Sequence, residues 1–224
     1  MFKALISDLD GIIVNSEHEH FLSVQKMLKT DFNIDHTEED NREFLGTADV
    51  YIFTTLRKKY PKIRSNFREL VHRRSQFFIE IFKERAQPLP CVKSLFETVH
   101  KEKIPLAVGT SAAREIAEFS LKTLNLLHYF KTVVTADDVK HGKPAPDIYL
   151  KAAKNLNVKP KDCVVLEDSE HGVEAAKAAG MKCIAIPCGP TIGQNHEKAD
   201  LVVKSLHAFA ADFQSFAFQS AFAR

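Results

Sequence analysis

Apolar positions along the chain fall into two alternating textures. Short runs, most of them rich in β-branched residues, stand at 2–7 (FKALIS), 105–110 (PLAVGT), 132–136 (TVVTA), 163–167 (CVVLE), 183–187 (CIAIP) and 201–203 (LVV). Most are continuously apolar rather than alternating, which suits strands buried on both faces of a parallel sheet. Between them apolar residues step by three and four. Val92, Leu95, Phe96 and Val99 make one helical face, and Ile116, Phe119 and Leu124 a looser one. The alternation predicts an α/β domain with a doubly wound, Rossmann-like parallel sheet.

Residues 15–85 break the alternation. They hold no strand candidate and predict four helices. The first carries Phe21, Val24 and Leu28 on one face. The second opens at Thr37 with Asp40 three residues on, a variant capping box. The third runs from Val50 to Lys59 and stops before Pro61, and the fourth starts near Ser65 with Phe67, Leu70, Val71, Phe78, Ile81 and Phe82 on an apolar face. This predicts a small all-helical domain, 15–88, inserted into an α/β domain of 1–14 and 89–224, with Pro88-Leu89-Pro90 as the second hinge. The insert also carries a basic run, Arg57, Lys58, Lys59, Lys62, Arg64, Arg68, Arg73 and Arg74, opposed only by Glu69. It reads as a solvated helix surface, with steering of an anionic substrate as the functional alternative. A C-terminal helix over 206–224 is rich in Phe: Leu206, Phe209, Phe213 and Phe216 share one face, and Phe218 and Phe222 point elsewhere.

Composition narrows the class. A chain of 224 residues with 45% apolar and 27% charged residues is expected to form one globular domain carrying an insertion. No run of 18 apolar residues and no apolar leader at the start point away from a membrane or a secretory signal. Thirty-one basic against 29 acidic residues leave a formal charge of +2, too balanced to predict nucleic-acid binding. Cys91, Cys163, Cys183 and Cys188 show no metal-ligand spacing, and Cys163 and Cys183 sit in apolar runs as small buried hydrophobes. A reducing, cytoplasmic setting is the expectation.

The chemistry concentrates where strands end. The first strand leads into Ser7-Asp8-Leu9-Asp10-Gly11, placing two carboxylates at the carboxyl edge, where open α/β sheets bind ligands. Apposed carboxylates call for a positive partner, most simply a hard divalent cation such as Mg²⁺. PLAVGT runs into Ser111 and a helix start, an arrangement suited to an anion. Lys143 stands in a proline-stiffened loop, Lys143-Pro144-Ala145-Pro146-Asp147, and CVVL ends in Glu167-Asp168-Ser169. Asp8, Asp10, Ser111, Lys143, Glu167 and Asp168 thus belong to four strand ends that a parallel sheet gathers on one edge.

These motifs resemble the haloacid dehalogenase superfamily, in the branch with a helical cap after the first strand. DLDGIIVNSE, VGTSAAREIAE, GKPAPDIYLKAAKNLNV and VVLEDSEHGVEAAKAAGM stand in the family's order over nearly the whole chain. Within it the chain is similar to β-phosphoglucomutase and to sugar-phosphate and phosphoglycolate phosphatases. The resemblance implies Asp8 as the nucleophile forming an aspartyl-phosphate and Asp10 as general acid and base. It implies Mg²⁺ held by the Asp8 carboxylate, the Asp10 carbonyl and Asp168, with Glu167 at or just behind the ion. Ser111 and Lys143, supported by Thr110, would hold the phosphoryl oxygens.

The departures bear on specificity. Asn15 replaces the usual acidic residue at the cap hinge, and Cys91 replaces the usual glycine after Pro90. In the loop Phe44-Leu45-Gly46-Thr47-Ala48-Asp49, the mutase branch has a lysine before the glycine and an arginine shortly after it, gripping a second phosphate. Leu45 and Asp49 stand here instead, which disfavours a mutase and leaves Asp49 as an acceptor for sugar hydroxyls. His20 matches a histidine that supports the acid/base carboxylate in that branch; a surface histidine, like His18, is the plainer expectation. Ser16, His20, Gly46, Thr47, Asp49 and Arg114 are the candidates to face the substrate. The expected function is a monomeric, Mg²⁺-dependent phosphatase of a small phosphorylated metabolite, a sugar or polyol phosphate. The alternatives are a sugar phosphomutase, a metal-free haloacid dehalogenase, which Asp10 and Glu167-Asp168 oppose, and a non-enzymatic sugar-phosphate-binding regulator, which the complete set of catalytic-position residues opposes.

Overall fold

A computed structural model describes residues 2–44, 47–211 and 213. Six strands, β1 (Ala4–Ser7), β2 (Leu106–Gly109), β3 (Thr132–Val134), β4 (Cys163–Glu167), β5 (Lys182–Ala185) and β6 (Leu201–Val202), form one parallel sheet in the order β3-β2-β1-β4-β5-β6. The register pairs Leu5 with Leu106 and with Val164, so β1 lies at the centre. The chain builds outward from β1 to β3, then crosses to β4 on the other side. That reversal opens a crevice beyond the carboxyl ends of β1 and β4.

Alternate residues of the central strands feed two cores. Leu5, Val108, Val164 and Ile184 face α5 (Val92–Lys101), α6 (Arg114–Thr123) and α9 (Leu206–Ala211). Ala4, Ile6, Ala107, Val165 and Cys183 face α7 (Asp147–Leu156) and α8 (Glu170–Ala178). Burial on both sides accounts for the unbroken apolar runs. Cys163 and Cys183 are free and buried, as expected of them. Every strand but β4 is shorter than its apolar run, and for two of them the cause is visible. Beyond Val134 the chain turns, because Thr135 and Asp138 cap each other and start a 3-10 turn at Ala136–Asp138. The β5 strand runs Lys182–Ala185 instead of 183–187, ending where Ile186 N–H donates to the Glu167 carbonyl.

Between β1 and α5 lie α1 (Glu17–Phe32), α2 (Glu38–Asn41), α3 (Asp49–Lys59) and α4 (Phe67–Arg85). The expected capping box at Thr37 and Asp40 is present. A second one, with Asn66 as the N-cap and Glu69, sets the start of α4 at Phe67, two residues beyond Ser65. Val24, Met27, Leu28, Ile52, Phe53, Leu56 and Leu70 make a third apolar cluster within these helices. Phe78 and Phe82 of α4 instead pack into the larger core under the sheet, and Phe67 is exposed, so the apolar residues of α4 serve two cores and not one face. Cys91 holds φ at 68° as the residue before α5, a left-handed backbone that glycine adopts with less strain. The Phe-rich C-terminus is described through Ala211 and at Phe213, where Phe209 and Phe213 are buried. Phe216, Phe218 and Phe222 lie outside the described residues.

Candidate active site

The crevice between α1–α4 and the sheet holds a cavity of about 80 Å³. Asp8, Asp10, Thr110, Ser111, Lys143 and Asp168 line its sheet side. Lys143 is the electrostatic hub. Its ammonium group is 3.0 Å from Asp8 Oδ1 and 2.6 Å from Glu167 Oε1, and its side chain is 3% exposed. Burial alone would favour a neutral amine, but the Asp8 and Glu167 charges win and raise its pKa. The proline-flanked loop therefore delivers Lys143 beneath the site.

Glu167 is spoken for at both oxygens. Oε1 accepts from Lys143 Nζ and from Tyr149 Oη at 2.6 Å, and Oε2 accepts from Asp168 N–H, Ser169 N–H and Ser169 Oγ at 3.0–3.1 Å. Burial works to raise its pKa, yet Lys143 and the hydrogen bonds bring it below the usual carboxylate value. Asp8 and Asp168 behave oppositely. Burial, outweighing Lys143 and joined by the Glu167 and Asp10 charges, pushes Asp8 up to about 8. Burial with the Glu167 and Asp8 charges raises Asp168 well above a carboxylate's ordinary value. Ligand oxygens of Asp8, Glu167 and Asp168 all lie within 4.8 Å of one another. Two crowded, buried carboxylates with hard oxygen donors, resisting ionisation for want of positive charge, fit a divalent cation; Glu167, with its oxygens occupied, fits a support for them.

Asp10 faces α1. Ser16 Oγ donates to its Oδ1, and His20 Nε2 lies 3.1 Å from the same atom. Burial opposes ionisation, but His20 and Ser16 prevail and lower its pKa. His20 stacks on Phe78 with ring centroids 4.5 Å apart, and its Nδ1 accepts from Arg74 Nη2. The other terminal nitrogen of Arg74 donates to Asp49 Oδ1. With Nδ1 an acceptor, Nε2 carries the proton toward Asp10.

A family model for haloacid dehalogenase-like hydrolases matches residues 5–186. The chain belongs to that family. It is an enzyme of the phosphoric monoester hydrolase type. A phosphorylated carbohydrates phosphatase of Thermotoga maritima is 35% identical over 81% of this chain and 83% of its own. β-Phosphoglucomutase of Bacillus subtilis is 30% identical over 92% and 94%. Among solved structures, CbbY of Rhodobacter sphaeroides in complex with phosphate superposes with a TM-score of 0.86 at 26% identity, covering 93% of this chain and 96% of that one. No described helix is long and apolar enough to cross a membrane.

In this hydrolase the six strand-end residues converge, while the candidates to face the substrate divide. His20, Thr47 and Asp49 line the cavity. Ser16 is fully buried behind Asp10 and acts on that carboxylate. Arg114 is drawn away by Glu118 and Asp138 and does not line the cavity. Gly46 and Leu45 lie outside the described residues. Asp49, expected to accept from substrate hydroxyls, has its Oδ1 occupied by Arg74. Arg74 itself corrects the reading of the basic run as a solvated surface: it is 5% exposed and lines the cavity, whereas Arg73 pairs with Asp31 and Lys59 with Asp40 at the surface. Glu17, the last residue of DLDGIIVNSE, and Thr191, which lies in none of the quoted motifs, also line the cavity.

Proposed function

We propose that this hydrolase is a Mg²⁺-dependent phosphatase acting on a small phosphorylated metabolite, a sugar or polyol phosphate, through an aspartyl-phosphate on Asp8. The observation that carries this is the buried group of Asp8, Asp168, Glu167 and Lys143 at the sheet's switch point, with Asp10 held by His20 and Ser16 at its side. An Asp8 oxygen attacks phosphorus, the bond to the leaving alcohol breaks, and Asp10 gives that alcohol its proton. A water then attacks the aspartyl-phosphate, Asp10 takes its proton, and phosphate leaves with Asp8 restored. Lys143, Ser111 and Thr110 hold the phosphoryl oxygens and offset their charge. The Asp8 carboxylate, the Asp10 carbonyl and Asp168 would hold Mg²⁺, which supplies the remaining charge neutralisation for an anionic nucleophile meeting an anionic substrate. Residues 15–88 act as a cap that closes over the sheet edge, hinged near Asn15 and at Pro88–Pro90, keeping bulk water from the intermediate.

The sugar-phosphate class draws on relatives named as a phosphorylated carbohydrates phosphatase and a β-phosphoglucomutase. A phosphatase is favoured over a mutase because Arg74, the one arginine or lysine that α1–α4 contribute to the described cavity lining, is already paired with Asp49. Phosphate release from a set of sugar and polyol phosphates, with Mg²⁺ and with chelator, tests the reading on wild type and Asp8→Asn. Release that needs Mg²⁺ and vanishes in the variant is expected. Conversion of a hexose 1-phosphate to the 6-phosphate without release would establish the mutase instead.

A further inference from the structure

A second cavity, of about 210 Å³, lies between α4 and the start of α6 and shares no lining residue with the active-site cavity. Neighbours on α4 divide between the two: Arg74 lines the active site and Ser75 the second cavity. Ser75 is fully buried, and its Oγ has no hydrogen-bond partner among the described residues. A serine in mid-helix commonly points to water or donates to the carbonyl four residues back. Ser75 does neither, and an unmet buried hydroxyl is a cost that a polar group entering the cavity relieves.

Charge sorts by wall. The basic side chains, Arg68 and His72, stand on α4, and the acidic ones, Glu115 and Asp137, on the side of α6. His72 Nδ1 and Glu115 Oε2 meet at 3.2 Å and join the walls. Asp137 accepts the Arg114 N–H at Oδ2, 2.8 Å away, which leaves its other oxygen for a ligand. Arg68 has no hydrogen bond or ion pair to any described residue. Phe67, Val71 and Ala113 supply apolar surface. An anion alone would face Glu115 and Asp137, and a cation alone would face Arg68. A molecule carrying both charges on an apolar body satisfies both walls. The volume exceeds the roughly 150 Å³ of an engineered cavity that takes up benzene, so one ring with two short substituents fits.

We propose that this cavity is a second ligand site, taking a small zwitterion whose ammonium and carboxylate flank an apolar body.

Titration of p-(aminomethyl)benzoate, followed by backbone amide NMR shifts, tests the assignment, with p-methylbenzoate and benzylamine as probes that each lack one charge. Saturable, millimolar binding is expected, with shifts concentrated on α4 and the start of α6. Each single-charge probe should bind about 3- to 5-fold more weakly, the scale of one exposed ion pair. Arg68→Gln should weaken p-(aminomethyl)benzoate by the same factor and leave benzylamine unchanged. Asp137→Asn, which keeps an acceptor for the Arg114 N–H, should weaken it likewise and leave p-methylbenzoate unchanged. Ser75→Ala should weaken it about threefold, the scale of one neutral hydrogen bond, and should melt at or above the wild-type temperature because no internal partner is lost. Lack of saturable binding, shifts confined to the residues around Asp8, equal affinity for the three probes, or wild-type affinity in Arg68→Gln overturns the site. A lowered melting temperature in Ser75→Ala overturns it too, since the hydroxyl then has a partner within the fold.

Discussion

A methyl group on Gly172 would lie 1.7 Å from Oε1 of Glu167 and 2.2 Å from Oε2. The first turn of α8 therefore passes directly against the carboxylate that anchors Lys143, and only a residue without Cβ fits. Gly172→Ala is expected to displace Glu167 and, with it, Lys143 and Tyr149. Overpacking of this kind costs about 1–3 kcal/mol, and disturbing the charge-assisted hydrogen bonds adds to it. Urea unfolding should show the loss in stability, and phosphate release should fall at least 10-fold because Lys143 no longer meets Asp8. A Gly172→Ala protein with unchanged midpoint and rate would mean that Glu167 tolerates the shift.

Asp49 and Arg74 form an ion pair buried to 8% and 6% side-chain exposure, and Arg74 is also the donor to His20. Removing one partner of such a pair strands a charge, at about 3–5 kcal/mol, whereas replacing both by apolar residues of similar size is far cheaper. Asp49→Leu and Arg74→Met are each expected to destabilise by that amount, and the double variant by much less than their sum. Arg74→Met should also lower kcat about 10-fold, because His20 loses the contact that keeps its Nε2 proton toward Asp10. A double-mutant cycle in denaturant reads the coupling. Additive effects would show that the pair contributes nothing beyond its separate side chains.

The same pair shows why part of the site was legible in the sequence and part was not. Asp8, Asp10, Ser111, Glu167 and Asp168 stand at or just beyond strand ends and Lys143 in the loop between β3 and α7, and a parallel sheet sends all these ends to one edge, so local motifs locate them. The insert contributes through tertiary packing, which motifs do not report. A periodic signal for Arg74 existed: Leu70, Arg74, Phe77 and Phe78 step by four, three and one along α4, so Arg74 shares the buried stripe. Asp49 likewise opens the buried series Asp49, Ile52, Phe53 and Leu56 on α3. Counted among neighbouring basic residues, Arg74 read as surface charge; counted by helical period, it reads as a buried group needing an acid. Thr191 gave no such signal, since its loop enters the site only through the β5–β6 connection.

Asp200 gives a pH dependence whose sign follows from its surroundings. Its Oδ2 accepts from Lys177 Nζ at 2.6 Å and from Cys183 N–H at 2.8 Å, and its Oδ1 lies 3.0 Å from Lys182 Nζ. Burial tends to raise its pKa, but these donors together lower it below the usual value of 3.8. A carboxyl whose pKa is lower folded than unfolded adds stability that is complete above the unfolded value and lost as pH falls through the folded one. Asp200→Asn should therefore cost about 1–2 kcal/mol near neutral pH, the scale of a hydrogen bond to a charged group, and progressively less below about pH 4. Urea midpoints of both proteins across that range check it. A difference that stays constant down to pH 2 would assign the effect to packing.

Thr191 and His196 hold Asp168 from behind. Thr191 Oγ1 accepts from Cys188 N–H at 3.0 Å and donates to Asp168 Oδ2, while His196 Nε2 lies 2.6 Å from the Asp168 carbonyl oxygen. Both are nearly fully buried, at 6% and 7% exposure, so the contacts are shielded from water. If Asp168 is a ligand to Mg²⁺, its free orientation is what these residues restrict, and partners of this kind change metal affinity about 10- to 100-fold. Thr191→Val keeps the shape and removes the hydroxyl, so Mg²⁺ titration calorimetry without substrate should show weaker binding on that scale. Thr191→Ser should bind within about threefold of wild type, because it restores the donor. Equal affinity of all three proteins would free Asp168 from any dependence on this loop, and weak binding by Thr191→Ser as well would trace the loss to the missing methyl group.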